Sequence, residues 1–328
     1  MIIRLIGSFN RKMGGLPTLF FYIKIGLLWP ILKHVLSHPF KKISYKKAYS
    51  EILDKVEPLL MEKYAPIMKT RKEFYEVQSL EHHRSSIVWF CWLQGIEHAP
   101  SVVKVCYDSL RRHLTNRDIR VINAENWKEY VSLPEYIVKK WQKKQIPNPH
   151  FTDLVRLQLL IKYGGTWIDS TVLCTGLTPQ NEKQTKSFLD ADLFLFQYTQ
   201  PGSNQWGGIG NWFITSCSNN EVLLVLRDML FAYWKDYDFV VDYFVFHLFF
   251  SMLREVYPAE IVAMPYGYAG NSVGLGYHLG SKFKAEKWER LTRNVAFHKL
   301  TYNVKKEVLG GKDNYYHHIM DVKRDNSR

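Results

Sequence analysis

The segment that decides the fold is His150–Thr175, HFTDLVRLQLLIKYGGTWIDSTVLCT. Its apolar residues recur at helical spacing and predict a helix from about Asp153 to Tyr163. Glycine adopts the left-handed conformation that commonly ends a helix, so the Gly164–Gly165 pair is expected to stop it. The apolar run Thr166–Thr175 then predicts a buried strand. The segment thus indicates a helix that turns sharply into a strand.

The flanking sequence repeats this alternation of strands and helices. Short runs rich in β-forming residues predict strands at Ser86–Trp92, Asp118–Asn123, Asp192–Tyr198, Trp212–Ser216 and Asn294–Tyr302, with helical patterns between them. Such alternation predicts an α/β fold, a Rossmann-type mainly parallel sheet flanked by helices. In sheets of this type, active sites lie beyond the carboxyl ends of the strands. Glycine-rich stretches at 207–210 and 274–280 match no nucleotide fingerprint and are expected to be turns or acceptor loops.

Residues 1–80 predict a helical, basic N-terminal extension, and residues 81–328 the catalytic α/β domain. Leu16–Leu36 is apolar, but Lys24 and Pro30 interrupt it, so it falls short of the about 20 apolar residues of a spanning helix. Nine basic residues lie in or beside it: Arg4, Arg11, Lys12, Lys24, Lys33, Lys41, Lys42, Lys46 and Lys47. Two interpretations of this segment stay open: a helix that lies on an anionic membrane surface, and an ordinary helix that packs on the catalytic domain.

The composition excludes a disordered chain and is compatible with three classes of binding partner. The 328 residues are 46% hydrophobic and 15% aromatic, and the formal net charge of +13 favours nucleic acid, an acidic membrane face or a phosphorylated ligand. No nucleic-acid-binding module is recognisable, so a nucleic-acid binder is the competing class and nucleic acid is not an expected partner. The four cysteines form no CxxC pair and predict buried free thiols.

Charged and aromatic residues near the predicted strand ends suit a nucleotide-sugar site. Asp153 and Arg156 are three residues apart and project from one helix face. Asp169 follows an apolar strand and is expected to face a cleft, a cation or hydroxyl groups, since an unpaired carboxylate is costly to bury. Trp89 offers an aromatic face for a base. The structural alternatives are a helix cap, ion pairs and core packing.

Two further polar residues interrupt the apolar run FHKLTY near the C-terminal end. His298 could be a ligand of a metal or a diphosphate, and Lys299 a phosphate contact. An ordinary strand with one solvated face is the equal alternative. Tyr315–His318 (YYHH) is expected to belong to a mobile tail rather than to a metal cluster.

The run TDLVRLQLLIKYGGTWIDSTV resembles the motif of glycosyltransferases with a DxD sugar-binding region, family 32 and the clostridial glucosylating toxins among them. Their pattern is an Asp-x-x-Arg helix, a Gly-Gly turn, an aromatic residue and the DxD carboxylates. It is more similar to the bacterial capsular polysaccharide synthesis subgroup, whose strand ends in Asp-x-Thr. The segments IVWFCWLQG, SVVKVCYDSLRRH, NWFI and FHKLTY are similar to that subgroup too, so the resemblance covers most of Ile87–Tyr302.

This resemblance implies a GT-A-like hexosyltransferase that retains anomeric configuration. Trp89 would stack on the base, Asp153 and Arg156 would hold the sugar and diphosphate, and Asp169 would contact the ribose. The expected catalytic residues are Asp169 and Asp153. The implied donor is a UDP-sugar, and the implied acceptor is a lipid-linked oligosaccharide in capsule or exopolysaccharide synthesis. The protein is expected to work at the cytoplasmic face of the cell membrane, as a peripheral protein.

One departure concerns the cofactor. Thr171 replaces the second DxD aspartate, and a hydroxyl is a poorer ligand for Mn²⁺ or Mg²⁺ than a carboxylate. The expectation is that Asp169, waters, phosphates and His298 still hold a divalent cation. The alternative is that Arg156 or Lys299 replaces the ion. A degenerate, noncatalytic membrane partner is a third possibility.

Overall fold

The computed structural model describes residues 15–27, 29, 42–198 and 208–321. The chain divides into two compact units. The first, the helical unit, comprises Met1–Ser79, Leu133–Leu154 and Glu221–Pro258, and the second, the sheet unit, comprises Leu80–Ser132, Val155–Asn220 and Ala259–Arg328. The N-terminal residues therefore share a unit with two later segments of the chain.

The strands all belong to the sheet unit. In chain order they are β1 (Ile87–Cys91), β2 (Asp118–Ile122), β3 (Gly165–Asp169), β4 (Val172–Cys174), β5 (Leu193–Gln197), β6 (Ile209–Ser216) and β7 (Phe297–Lys299). The helices are α1 (Leu16–Lys24), α2 (Lys42–Glu76), α3 (Ser101–His113), α4 (Trp127–Tyr130), α5 (Glu135–Gln142), α6 (Asn148–Tyr163), α7 (Glu182–Leu189), α8 (Glu221–Asp236), α9 (Val245–Val256), α10 (Pro258–Ala263), α11 (Ala269–Tyr277), α12 (Ala285–Thr292), α13 (Lys306–Leu309) and α14 (Tyr315–Asp321).

Five strands form the central sheet, in the order β2-β1-β3-β6-β5. β1 pairs in parallel with β2 and β3, whereas β6 is antiparallel to both β3 and β5. Four of these five strands therefore point the same way. The predicted mainly parallel α/β sheet flanked by helices is confirmed.

The two faces of this sheet carry different layers. Phe90 belongs to a buried apolar cluster with residues of α3 and α7. Its neighbour Trp89 points to the opposite face, since side chains alternate along a strand. There its ring lies 5.5 Å from that of Tyr163 at the end of α6 and 5.6 Å from that of Tyr130 in α4. The sheet is thus buried on both faces, as the continuous apolar strands predict.

The turn from α6 to β3 requires glycine. Gly164 and Gly165 have φ values of +66° and +94°. A Cβ at Gly165 would overlap the carbonyl oxygen of Ile87, and one at Gly164 would lie 2.9 Å from the carbonyl oxygen of His83. The predicted helix stop is confirmed. The turn also approaches β1 so closely that only glycine fits, a requirement that helix propensity alone does not predict.

Three sequence predictions about individual elements are wrong. The run Thr166–Thr175 is two strands, because β3 joins the central sheet while β4 pairs with β7 in a second, two-stranded sheet. The stretch 274–280 is largely helical rather than a turn, since Gly276 lets α11 pack directly on β7. A Cβ there would be 2.6 Å from the carbonyl oxygen of Lys299. The segment Tyr315–His318 belongs to α14 and is anchored by the buried Tyr315.

Helix α1 is attached to its unit through polar groups. Thr18 and Tyr22 donate hydrogen bonds of 2.6 Å to the carbonyl oxygens of Val240 and Val241. The other side of the helix exposes apolar residues, and Phe20 is 66% exposed. Of the predicted segment Leu16–Leu36, residues 28 and 30–36 lie outside the described residues. Within the described ranges, no helix combines the length and apolarity needed to cross a membrane.

The Gly164–Gly165 turn gives a first prediction. Gly165→Ala should lower the free energy of unfolding by about 3 kcal/mol or more, because the new Cβ meets both a left-handed φ and the Ile87 carbonyl. Gly26→Ala is the matched control, since Gly26 has φ +79° but nothing within 4 Å of the new Cβ. It should cost about 1 kcal/mol. Urea denaturation measures both, and equal losses would contradict the close approach.

Candidate active site

Asp169 is the last residue of β3, at the carboxyl end of the three neighbouring parallel strands. This is the edge of an α/β sheet where binding sites are expected. In register, Asp169 pairs with Cys91, the last residue of β1. Its side chain is 26% exposed. The carboxylate is therefore partly buried but open to solvent on one side.

Three donors hold this carboxylate. The indole Nε1 of Trp167 donates to Oδ1 at 2.9 Å, and Nη2 of Arg156 donates to the same oxygen at 3.2 Å. Nζ of Lys299 donates to Oδ2 at 2.6 Å. These four residues, together with Thr171, are called the Asp169 cluster below. All five belong to the sheet unit.

Arg156 is the buried cation of the cluster. It extends from α6, and its side chain is only 5% exposed. Besides Asp169, its Nη1 donates to the backbone carbonyl of Asn211 in β6 at 2.6 Å, and its guanidinium lies 4.6 Å from the ring centroid of Trp167. A planar guanidinium suits this combination of an ion pair, a carbonyl and an aromatic face. The arrangement fixes Arg156 in place.

Lys299 is the exposed cation of the cluster. It lies in β7, where it pairs in register with Val172 of β4, and its side chain is 26% exposed. The Nζ that binds Asp169 also donates to the hydroxyl oxygen of Thr171 at 2.9 Å. The ammonium therefore bridges the two ends of the Asp-x-Thr sequence. A lysine in this position can also reach a ligand that enters from solvent.

The charges keep Asp169 ionised. Burial alone would raise the pKa of its carboxyl group, but the charges of Lys299 and Arg156 and the hydrogen bonds from Lys299 and Trp167 outweigh that effect. The pKa is consequently held below its ordinary value. With two cations and one carboxylate, the cluster carries one net positive charge.

The other predicted donor-binding residues have different surroundings. Asp153 lies in α6 one turn before Arg156 and is 9% exposed, in the part of the helix that belongs to the helical unit. Trp89 is fully buried, and its Nε1 donates to the carbonyl oxygen of Gly164 at 3.0 Å. Its ring packs against two tyrosines, as described above. This placement corresponds to the core-packing alternative and presents no exposed face to a base.

His298 lies apart from the ion pairs. Successive strand residues point to opposite faces, so its imidazole and the side chain of Lys299 diverge. His298 is fully buried, and its Nε2 is 3.2 Å from the hydroxyl oxygen of Thr175. Burial lowers the pKa of His298 to about 4, against a backbone hydrogen bond with Val295 that raises it. The ring is accordingly neutral at pH 7.

The donor set does not fit a divalent cation. Mn²⁺ and Mg²⁺ take oxygen ligands with free lone pairs and anionic charge. Here both Asp169 oxygens accept from the three donors of the cluster, and the Thr171 hydroxyl accepts from Lys299. In residues 15–27, 29, 42–198 and 208–321, no three His, Cys, Asp or Glu side chains are grouped so as to hold a metal.

The sequence motif gives no role to two members of the site. Trp167 is two residues before Asp169 and shares its face of β3, so strand alternation could have found it. The contact between Arg156 and the backbone carbonyl of Asn211 could not be predicted from the sequence. Every residue type supplies a backbone carbonyl, and Asn211 lies 55 positions from Arg156.

A family model and a solved structure are similar to this chain. No curated protein sequence is significantly similar to this chain. A similar solved structure is the PaToxG glycosyltransferase, with 10% sequence identity and a TM-score of 0.37 over 74% of this chain and 99% of that one. The family model described as capsular polysaccharide synthesis protein matches residues 33–319. The match spans most of the sequence, including the whole Asp169 cluster, and the chain therefore belongs to the capsular polysaccharide synthesis protein family.

Proposed function

We propose that the protein is a glycosyltransferase that moves a sugar from a nucleotide-sugar donor to a glycan during capsular polysaccharide synthesis. The observation that carries the proposal is the Asp169 cluster, an ionised and partly exposed carboxylate between two cations at the carboxyl end of the sheet. Membership of the capsular polysaccharide synthesis family supports the pathway. A UDP-sugar donor remains part of the proposal.

Burial divides the roles within the cluster. Asp169 and Lys299 are each 26% exposed, so they are the members that contact the donor, Asp169 through sugar or ribose hydroxyls and Lys299 through the diphosphate. Arg156 is 5% exposed and acts as a positioning residue that orients the Asp169 carboxylate. A catalytic role for Asp153 stays a prediction.

The reaction suits a site with net positive charge. The acceptor hydroxyl oxygen bonds to the anomeric carbon, and the bond from that carbon to the diphosphate breaks with its electron pair. The hydroxyl proton passes to the departing phosphate or to solvent. Negative charge thus grows on the diphosphate, where a fixed cation stabilises the transition state. Retention of configuration stays a prediction, since neither the acceptor nor its approach is defined.

The acceptor is proposed to be a lipid-linked glycan, with the protein peripheral at the inner face of the cell membrane. Helix α1 supports this proposal because its apolar residues face outward: Leu16, Phe20 and Ile23 are 45%, 66% and 37% exposed. They follow one another at intervals of four and three residues and share one side of the helix. The surrounding sequence is basic, and both features suit an anionic membrane surface.

The first test of this function is Asp169→Asn. It should lower sugar transfer by about 100-fold or more, because the amide removes the charge that orders the donor hydroxyls. Transfer is measured with a panel of nucleotide sugars, chosen by the thermal shift each produces in the wild-type protein. Asp192→Asn is the matched control, since Asp192 forms an exposed ion pair with Arg84 elsewhere in the sheet unit.

The control should keep normal transfer and the wild-type unfolding temperature. Asp169→Asn should unfold at a lower temperature, because it loses the ion pairs to Arg156 and Lys299, so its transfer is measured below that temperature, where it is folded. Normal turnover by Asp169→Asn at saturating donor would show that the site lies elsewhere. If no nucleotide sugar shifted the wild-type protein while DNA bound in a salt-dependent way, the competing nucleic-acid class would be favoured. Donor binding without transfer to any acceptor would favour the noncatalytic alternative.

The second test concerns the membrane. Phe20→Asp should weaken binding to vesicles that contain anionic phospholipid, because a charge replaces the most exposed apolar side chain of α1. Phe74→Asp is the matched control, an equivalent change at a 47% exposed phenylalanine on another helix of the same unit. Sedimentation with vesicles measures both, and equal binding by the two variants would rule out α1 as the membrane contact.

A further inference from the structure

The turn between β3 and β4 places Asp169 and Thr171 on either side of one ammonium group. Nζ of Lys299 is 2.6 Å from Asp169 Oδ2 and 2.9 Å from Thr171 Oγ1. In a DxD sequence the two carboxylates at these positions would face a divalent cation. Here one carboxylate and one hydroxyl lie at these positions, and they face the ammonium group of a lysine.

The charges of the two arrangements are equivalent. A divalent cation between two carboxylates leaves no net charge, and one ammonium between a carboxylate and a hydroxyl leaves none either. Replacement of aspartate by Thr171 and the presence of Lys299 therefore compensate each other. A divalent ion placed on Asp169 would have to displace the ammonium and would still lie close to Arg156, whose charge repels it.

The backbone holds Lys299 at this position. Val172 and Lys299 are paired across β4 and β7, and the amide of Leu300 donates to the carbonyl oxygen of Thr171 at 2.8 Å. Behind the strand, Gly276 brings α11 against the Lys299 carbonyl, at a distance that leaves no room for a side chain. Lys299 is thus positioned by the backbone on both sides and does not depend on a flexible loop.

We infer that the ammonium of Lys299 is the built-in cation of the donor site, which binds the diphosphate of the nucleotide sugar without a divalent metal. The inference rests on the proposed function, because the diphosphate is that of its donor. It selects Lys299 over Arg156 as the diphosphate ligand, since Lys299 is 26% exposed and Arg156 only 5%.

The experiment measures binding of UDP and GDP by calorimetry, in metal-stripped buffer with EDTA and again with Mn²⁺. For the wild-type protein, whichever nucleotide binds should have dissociation constants in the two buffers that differ by no more than about twofold. This is expected when a side-chain cation neutralises the phosphates. Lys299→Met should weaken binding at least about tenfold in EDTA, and Lys299→Arg should restore most of it. Lys282→Met, a change at an exposed lysine outside the cluster, is the control and should bind as the wild type does.

A double variant, Thr171→Asp with Lys299→Met, rebuilds two carboxylates without the lysine. It should bind the nucleotide only when Mn²⁺ is present, and Mn²⁺ binding itself is followed by paramagnetic resonance. The comparison of wild-type binding in the two buffers needs no variant, so it keeps the test decisive even where Lys299→Met folds poorly.

Two outcomes would overturn the inference, and they differ. If wild-type binding disappeared in EDTA and returned with Mn²⁺, the site would use a metal, and the proposed function would stand. If neither nucleotide bound in either buffer and no nucleotide sugar supported transfer, the proposed function would fail and the inference with it.

Discussion

The sheet unit depends on one partly buried carboxylate. Asp169, at the end of β3, joins two other elements to that strand, since Arg156 reaches it from α6 and Lys299 from β7. A carboxylate at such a position is costly unless it is paired and hydrogen-bonded. Its partners must therefore keep their positions, and this requirement fixes α6 and β7 relative to the end of β3. In the proposed function, the same carboxylate contacts the hydroxyl groups of the donor.

Two cations of equal charge are assigned different roles in the proposed site because their surroundings differ. Arg156 is enclosed by the Asp169 carboxylate, the Asn211 carbonyl and the face of Trp167, so its orientation is determined by protein groups on several sides. Lys299 keeps part of its side chain in solvent, and an ammonium on a flexible stem can adjust to an incoming phosphate. In the proposed site, burial and residue type together separate the positioning residue Arg156 from the ligand-binding residue Lys299.

Much of the fold and part of the site follow from local sequence signals. The helix stop at Gly164–Gly165 and the alternation of strands and helices depend on residues close in sequence, where glycine conformation and apolar periodicity act directly. Asp169 could be found because a carboxylate after an apolar strand needs partners. The ion pair of Lys299 with Asp169 could not be found, since the pairing of β7 with β4 joins segments more than 100 residues apart.

Strand periodicity also left genuine ambiguities. Both faces of β1 are buried, so the sequence alone cannot distinguish a tryptophan in the core from one that lines a cleft. Trp89, the predicted base-stacking residue, lies in the core. The same holds for the neighbours His298 and Lys299, of which one turns inward and the other reaches the carboxylate. Nor does any local pattern show that residues 133–154 and 221–258 join the N-terminal region in one unit.

The order in which the Asp169 cluster appears along the chain has a consequence for biosynthesis. Lys299 follows Asp169 by 130 positions, and the five-stranded sheet is complete in sequence at Ser216. During translation, the carboxylate and Arg156 leave the ribosome long before the second cation does. A nascent chain can thus form its central sheet while its charge cluster is still incomplete, until β7 supplies the missing ammonium.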